Sequence, residues 1–78
     1  MRPAGRVLHH IKHRLLVIEA RERLQPDTRL YTSSGKEAAI IIDIIGPINK
    51  PYIIAKPLID KPEKLVGGEL YYSKKRRR

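Results

Sequence analysis

The chain reads as an all-β domain, a barrel or sandwich of about six short strands, and three observations carry that expectation. Apolar residues come in short runs with alternating polarity, clusters of Gly, Pro, Asn, Asp and Ser separate the runs, and helical spacing is nearly absent. Closure into a barrel suits this length best. It removes the sheet edges that a run as apolar as I-I-I-D-I-I, residues 40–45, offers to other chains. There is no internal repeat.

Gly5 to Ile11 and Arg14 to Arg21 are rich in Val, Leu and Ile and flank a polar joint at Lys12 and His13, the pattern of a hairpin. In the second run Glu19 and Arg21 share one parity, so Leu16, Ile18 and Ala20 are expected to face the core. Gln25, Pro26 and Asp27 interrupt the chain. Arg29 to Thr32 then forms a short strand, Ser33-Ser34-Gly35-Lys36 turns it back, and the next strand begins near Glu37. From Ala38 to Ile45 only Asp43 is polar. With Asp43 in water, Ile40, Ile42 and Ile44 are expected inside, and Ile41 and Ile45 outside. Gly46-Pro47 ends that strand. With Lys56 outward, Ile53 and Ala55 point inward, while Tyr52 and Ile54 join Ile41 and Ile45 on an outer apolar patch. Pro62 to Val66 fits one helical turn, with Asp60 or Lys61 before a proline at the first helical position. Gly67-Gly68 stops it and Glu69 to Ser73 closes the sheet.

At 78 residues the chain has room for one domain, expected over residues 1–73, and a modest core. A core of this size supplies only about 3–5 kcal/mol, and disulfides, a metal or a partner are the common supplements. The absence of cysteine rules out disulfides and thiolate zinc sites, which leaves a partner. No apolar run approaches the roughly 20 residues of a membrane span, and the N-terminus lacks the order of a secretory signal, so a soluble, intracellular chain is expected. The net charge is +9. Residues 1–73 hold 12 Lys or Arg against 8 Asp or Glu, and Lys74, Lys75, Arg76, Arg77 and Arg78 supply the rest. That basic tail has nothing to bury and is expected to be disordered in isolation. It suits sequence-independent, salt-sensitive contact with RNA or DNA phosphates, or alternatively serves as a solubilising terminus.

Candidates for catalysis are weak. His9 and His13 would share a face only in a helix, whereas this stretch reads as strand and turn, so no metal site is expected. Ser33, Ser34 and Ser73 lie in a turn and near the end of the chain, far from the protected setting that a nucleophilic triad needs. Asp43 and Asp60 could meet as a carboxylate pair after folding, yet an outward Asp among apolar neighbours is more often simply solvated, and Gly67-Gly68 lacks the spacing and the lysine of a phosphate-binding loop. No residue is expected to be catalytic, and no cofactor is expected.

The string G-P-I-N-K-P-Y at residues 46–52, followed by I-I-A-K-P and later by D-K-P-E-K-L-V-G-G-E-L-Y, resembles the core of the glycine/arginine-rich-protein subunit of H/ACA ribonucleoproteins in its short archaeal form. The likeness runs roughly from Gly5 to Tyr72 and includes G-R-V-L-H and R-L-L-V-I-E-A in the family's order. It implies a small closed six-stranded β-barrel that is not itself an enzyme. Such a subunit binds the catalytic domain of the dyskerin-like pseudouridine synthase as a single copy within the particle. It acts on the synthase's substrate-clamping loop, promoting substrate loading and product release during rRNA modification. Its contacts with guide RNA and substrate rRNA are mainly indirect. Gly46, Pro47, Pro51, Tyr52, Lys56 and Pro57 match the family string, and Tyr52 is the strongest candidate among them, since tyrosine is enriched at binding hot spots. With Ile41, Ile45 and Ile54 these residues form the expected partner-binding set.

Two departures accompany the likeness. Ile45 stands where the family commonly has an aromatic residue, and the glycine/arginine-rich extensions of eukaryotic members are absent. The second implies an archaeal, cytoplasmic protein, nucleolar if eukaryotic. The alternative reading is a small barrel of ribosomal or single-strand-binding type that binds RNA directly. Such modules display aromatic stacking platforms, and here only Tyr71 and Tyr72 offer one.

Overall fold

The structure is a computed structural model that describes residues 2–11 and 15–73. Six strands are present: β1 (Arg2–Ile11), β2 (Leu15–Ala20), β3 (Arg29–Tyr31), β4 (Glu37–Ile45), β5 (Tyr52–Pro57) and β6 (Glu69–Tyr72). They close into an antiparallel barrel in the order β1-β2-β5-β4-β3-β6, with β6 pairing back to β1. The expected joint at Lys12 and His13 and the tail Lys74–Arg78 lie outside the described residues.

Alternation builds the interior. Leu16 and Ile18 of β2, and Ile53 and Ala55 of β5, are fully buried and stand opposite one another in the β2–β5 ladder. Val7 from β1, Leu30 from β3, Ile41 from β4 and Leu70 from β6 complete the large side chains, and Ala4, Ala38 and Ala39 fill the narrow places between them. Tyr72 closes one end of this core, 8% exposed, and its hydroxyl donates to Glu22 at 2.7 Å. That bond, with the partial burial of the ring, holds the phenol above its ordinary pKa.

Six strands curve tightly, and the ladders break where they must bend. Register shifts fall between Pro3 and Gly5, Val7 and His9, Leu30 and Tyr31, and Ile41 and Asp43. Pro3, which has no N–H to donate, sits at one such break. Gly5 sits beside it, where strands β1 and β2 approach so closely that a Cβ would lie 2.3 Å from the Glu19 carbonyl oxygen. Only glycine permits that approach. Strand β1 itself begins at Arg2, three residues before the expected start, and pairs there with Tyr72.

The break in β4 overturns part of the expected facing. Ile41 pairs with Ala55 and Asp43 with Ile54, so Ile42 is the extra residue of a bulge. Ile41 is therefore fully buried, Ile42 is 46% exposed and Ile40 is half-buried on the outer side opposite Lys56. Ile44 resumes packing against the core beyond the bulge. Of the expected inner residues Ile40, Ile42 and Ile44, only Ile44 faces in, and Ile41 is a core residue rather than an outer one. Strict alternation carried through residue 42 inverted the first half of the strand.

The connections match their turn chemistry. The Thr32 and Lys36 backbones pair across the turn after β3, and Gly35 N–H donates to the Thr32 carbonyl at 2.9 Å. Pro62–Leu65 forms a single 3-10 turn with proline at its start and no side-chain cap. Gly67 and Gly68 then bond to Val7 of β1, at 2.8 and 2.9 Å. Between β2 and β3, Asp27 adopts a positive φ of 71°, tolerated by its short polar side chain, and donates its N–H to the Ile41 carbonyl at 2.7 Å.

The bulge makes a testable distinction between neighbours. Ile41→Ala is expected to lower unfolding free energy by about 2–5 kcal/mol, and Ile42→Ala by no more than about 0.5 kcal/mol, measured by urea denaturation. The reverse ranking would place Ile42 in the core.

Candidate docking face and basic cleft

Directly opposed residues of antiparallel strands share a face, so the ladders define the outer surface row by row. Val17, Ile54 and Asp43 form one outward row across β2, β5 and β4, with His9 continuing it on β1. Glu19, Tyr52 and Ile45 form the next, with Arg6 on β1. Ile42 emerges beside these rows because the bulge turns it out. Val17, Tyr52 and Ile54 are half-buried by their neighbours, while Ile42 and Ile45 are 46% and 48% exposed. The result is one outward apolar face spanning three strands, with Asp43 and Glu19 at its margins. Single exposed aliphatics are ordinary, but a contiguous group of them is characteristic of an interaction surface.

The β4–β5 connection extends this face beyond the end of the barrel. Gly46 has φ 94°, and a Cβ there would crowd the Tyr52 ring at 3.2 Å and the Lys50 carbonyl at 3.3 Å. Glycine thus lets the chain turn directly over Tyr52. Lys50 N–H donates to the Pro47 carbonyl at 3.1 Å, closing the turn, and the Pro51 carbonyl accepts the Ala20 N–H at 3.2 Å, anchoring it to the end of β2. Ile48 at the tip is the most exposed large apolar residue described, at 81%.

A different surface lies beside the turn. Arg6, Glu19, Ala20, Arg21, Asn49 and Lys50 line an open cleft of about 450 Å³. Arg21 grips Glu69 with two hydrogen bonds, and that pairing, before any other influence, holds the Glu69 carboxyl below its ordinary range and raises Arg21. Arg2 pairs with Glu22 at 3.5 Å, and on the far side of the barrel Arg29 pairs with Glu37 at 3.1 Å. No ion pair engages Arg6, Arg23 or Lys50 among the described residues.

Of the expected partner-binding residues, Ile45, Tyr52, Ile54 and Lys56 lie on the outer face, and Gly46, Pro47 and Pro51 form the adjoining turn. Ile41 does not belong there, being inside. Pro57 stands opposite the buried Ala39 at the end of the ladder, on the inner row. Two members of the face went unread in the sequence. Val17 shares the odd parity of Glu19, so its outward position was available from the same alternation that placed Leu16 and Ile18; Ile42 depends on the bulge. The expected basic tail lies outside the described residues. Tyr72 is a core residue while Tyr71 alternates to the outside, so the two rings do not form a shared stacking platform. His9 faces out opposite Val17 and His10 in opposite Leu16.

Comparison with protein-family models and with curated proteins finds no match to this chain.

The Arg21–Glu69 pair sets an acid dependence. Glu69 has a lower pKa folded than unfolded, so its contribution is present above the ordinary value of 4.5 and is lost as pH falls through the folded value. The Arg21 side chain is 56% exposed and that of Glu69 27%, so solvent screens the pair and the effect is small. Thermal melts between about pH 6 and about pH 3 are expected to fall less steeply in Arg21→Gln than in the native chain. Equal slopes would show that the pair is energetically silent.

Proposed function

We propose that this chain is a non-catalytic protein subunit of the H/ACA guide-RNA pseudouridylation ribonucleoprotein, docking on the dyskerin-like synthase through the outer face of β2, β5 and β4. The observation that carries this reading is the convergence on one surface of Val17, Ile42, Ile45, Tyr52 and Ile54 with the turn of residues 46–51. The G-P-I-N-K-P-Y string that resembles the family occupies that turn and ends on the face at Tyr52. Tyrosine with flanking aliphatics is the composition of a binding hot spot, and Asp43, Glu19 and Lys56 provide a polar rim.

Such a subunit performs no bond chemistry. It contributes by holding the synthase's mobile clamping loop in one of its positions, so that substrate RNA enters and product leaves; loop movements of this kind limit turnover in many enzymes. The stability of a small core also gains from docking, since a partner that binds only the folded barrel draws the equilibrium toward it.

Calorimetric titration of the chain into an archaeal dyskerin-like synthase without RNA tests this directly, and one-to-one binding is the expected result. Ile54→Asp and Ile42→Asp are expected to weaken it by at least about tenfold, because each places a charge in a desolvated apolar contact, while the thermal melt stays near that of the native chain. Unchanged affinity in both variants would remove this face from the interface. In pseudouridylation assays the subunit is expected to accelerate multiple turnover more than a single round; equal effects would assign it to active-site assembly.

A further inference from the structure

The docking face leaves one end of the barrel unassigned, and its chemistry is different. That end gathers the start of β1, the segment after β2, the β4–β5 turn and the end of β6. Three adjoining clefts run across it. The first holds Arg6, Asn49 and Lys50; the second shares Arg21 and Asn49 with it and adds Arg23; the third shares Glu22 and Arg23 with the second and reaches Ser73. Five consecutive basic residues, Lys74 to Arg78, follow Ser73 in the sequence.

We propose that this line of clefts is a phosphate-binding track for single-stranded RNA, centred on Arg6, Asn49 and Lys50. The proposal goes beyond the docking reading, which assigns no RNA contact to the barrel. Its first support is charge accounting. Glu69 is gripped by Arg21 and Glu22 by Arg2, and Arg6 stands opposite Glu19 and Glu69 in the ladders, whereas Lys50 and Arg23 form no ion pair among the described residues; in and beside the clefts five cations, Arg2, Arg6, Arg21, Arg23 and Lys50, face three acids, Glu19, Glu22 and Glu69. Its second support is shape: a row of connected open clefts fits a polymer with a charge at every unit better than it fits a compact anion. Asn49 supplies an amide that donates to phosphate oxygens without regard to base. The third is continuity, since the track leads to the residue from which the basic tail departs. Tyr72 lines the third cleft but is a core residue only 8% exposed, so it offers no open ring face, and the track holds the backbone and reads no bases.

The favoured ligand is RNA rather than an acidic protein segment, because Arg6, Lys50, Arg21 and Arg23 are strung out across adjoining clefts instead of converging on one pocket. Neutralised phosphates release counterions, and each contact to a single strand contributes about 0.7 to the slope of log affinity against log salt.

The test uses the full chain with a fluorescein-labelled oligouridylate, by anisotropy across a salt series. The double variant Arg6→Ala/Lys50→Ala is expected to bind about tenfold more weakly at low salt, with the slope reduced by about 1.4. Arg6→Lys/Lys50→Arg, which keeps both charges, is expected to bind as the native chain does. Lys36→Ala/Lys64→Ala removes the same charge from the turn after β3 and from the 3-10 turn, and is expected to leave the slope nearly unchanged. An unaltered slope in the first variant overturns the track, as does an equal loss in the Lys36/Lys64 pair, which would reduce the effect to net charge. If poly-glutamate binding is lost in the first variant while RNA binding persists, the cleft serves an acidic protein and the proposal fails. Thermal melts of each variant confirm that loss of binding is not loss of fold.

Discussion

The narrowness of a six-stranded barrel is the constraint on which the rest depends. Its interior holds few side chains, and the described core alternates Leu, Ile and Val with four alanines, Ala4, Ala38, Ala39 and Ala55. Larger residues at those positions would force the strands apart. The same small circumference obliges the strands to bend within a few residues, and the four ladder breaks supply the bends. One of them, at Ile42, turns an isoleucine outward that alternation would have buried. Part of the candidate docking face is thus a by-product of closing the sheet.

This origin explains what was legible in the sequence and what was not. β2 and β5 pair without a break, and there parity alone placed Leu16, Ile18, Ile53 and Ala55 inside and Tyr52 and Ile54 outside. In β4 the run I-I-I-D-I-I offers an isoleucine to either face at nearly every position, so side-chain chemistry cannot locate a bulge. Asp43 was the only marker, and it was read correctly as outward; the error arose from counting backward across residue 42. The turns were legible because Gly, Pro and Ser act locally. The basic cleft was not, because it joins Arg6, Arg21 and Lys50 from three distant segments, and only the barrel's closure makes them neighbours.

Two surfaces of contrasting character therefore meet at the β4–β5 turn. The apolar rows end at Tyr52 and Ile45, and Glu19 stands between them and Arg6. Such an arrangement would let a single rigid scaffold present a desolvating contact and a hydrated, salt-sensitive one side by side. The anchoring of the turn by Pro51 to the end of β2 fixes their relative position.

Closure itself is uneven around the barrel. The β1–β2, β2–β5 and β4–β5 ladders each extend over several residue pairs, but β3 is only three residues long and meets β6 at a single pair, Tyr31 with Tyr71. Native-state opening follows the least-bonded seam. Amide protons of β3 and β6 will therefore exchange with solvent first, and those of β2 and β5 last. An excursion of that kind bares two edges, but both are short, β3 with three residues beginning at Arg29 and β6 with four, which limits the chance that a transiently open barrel recruits a second chain.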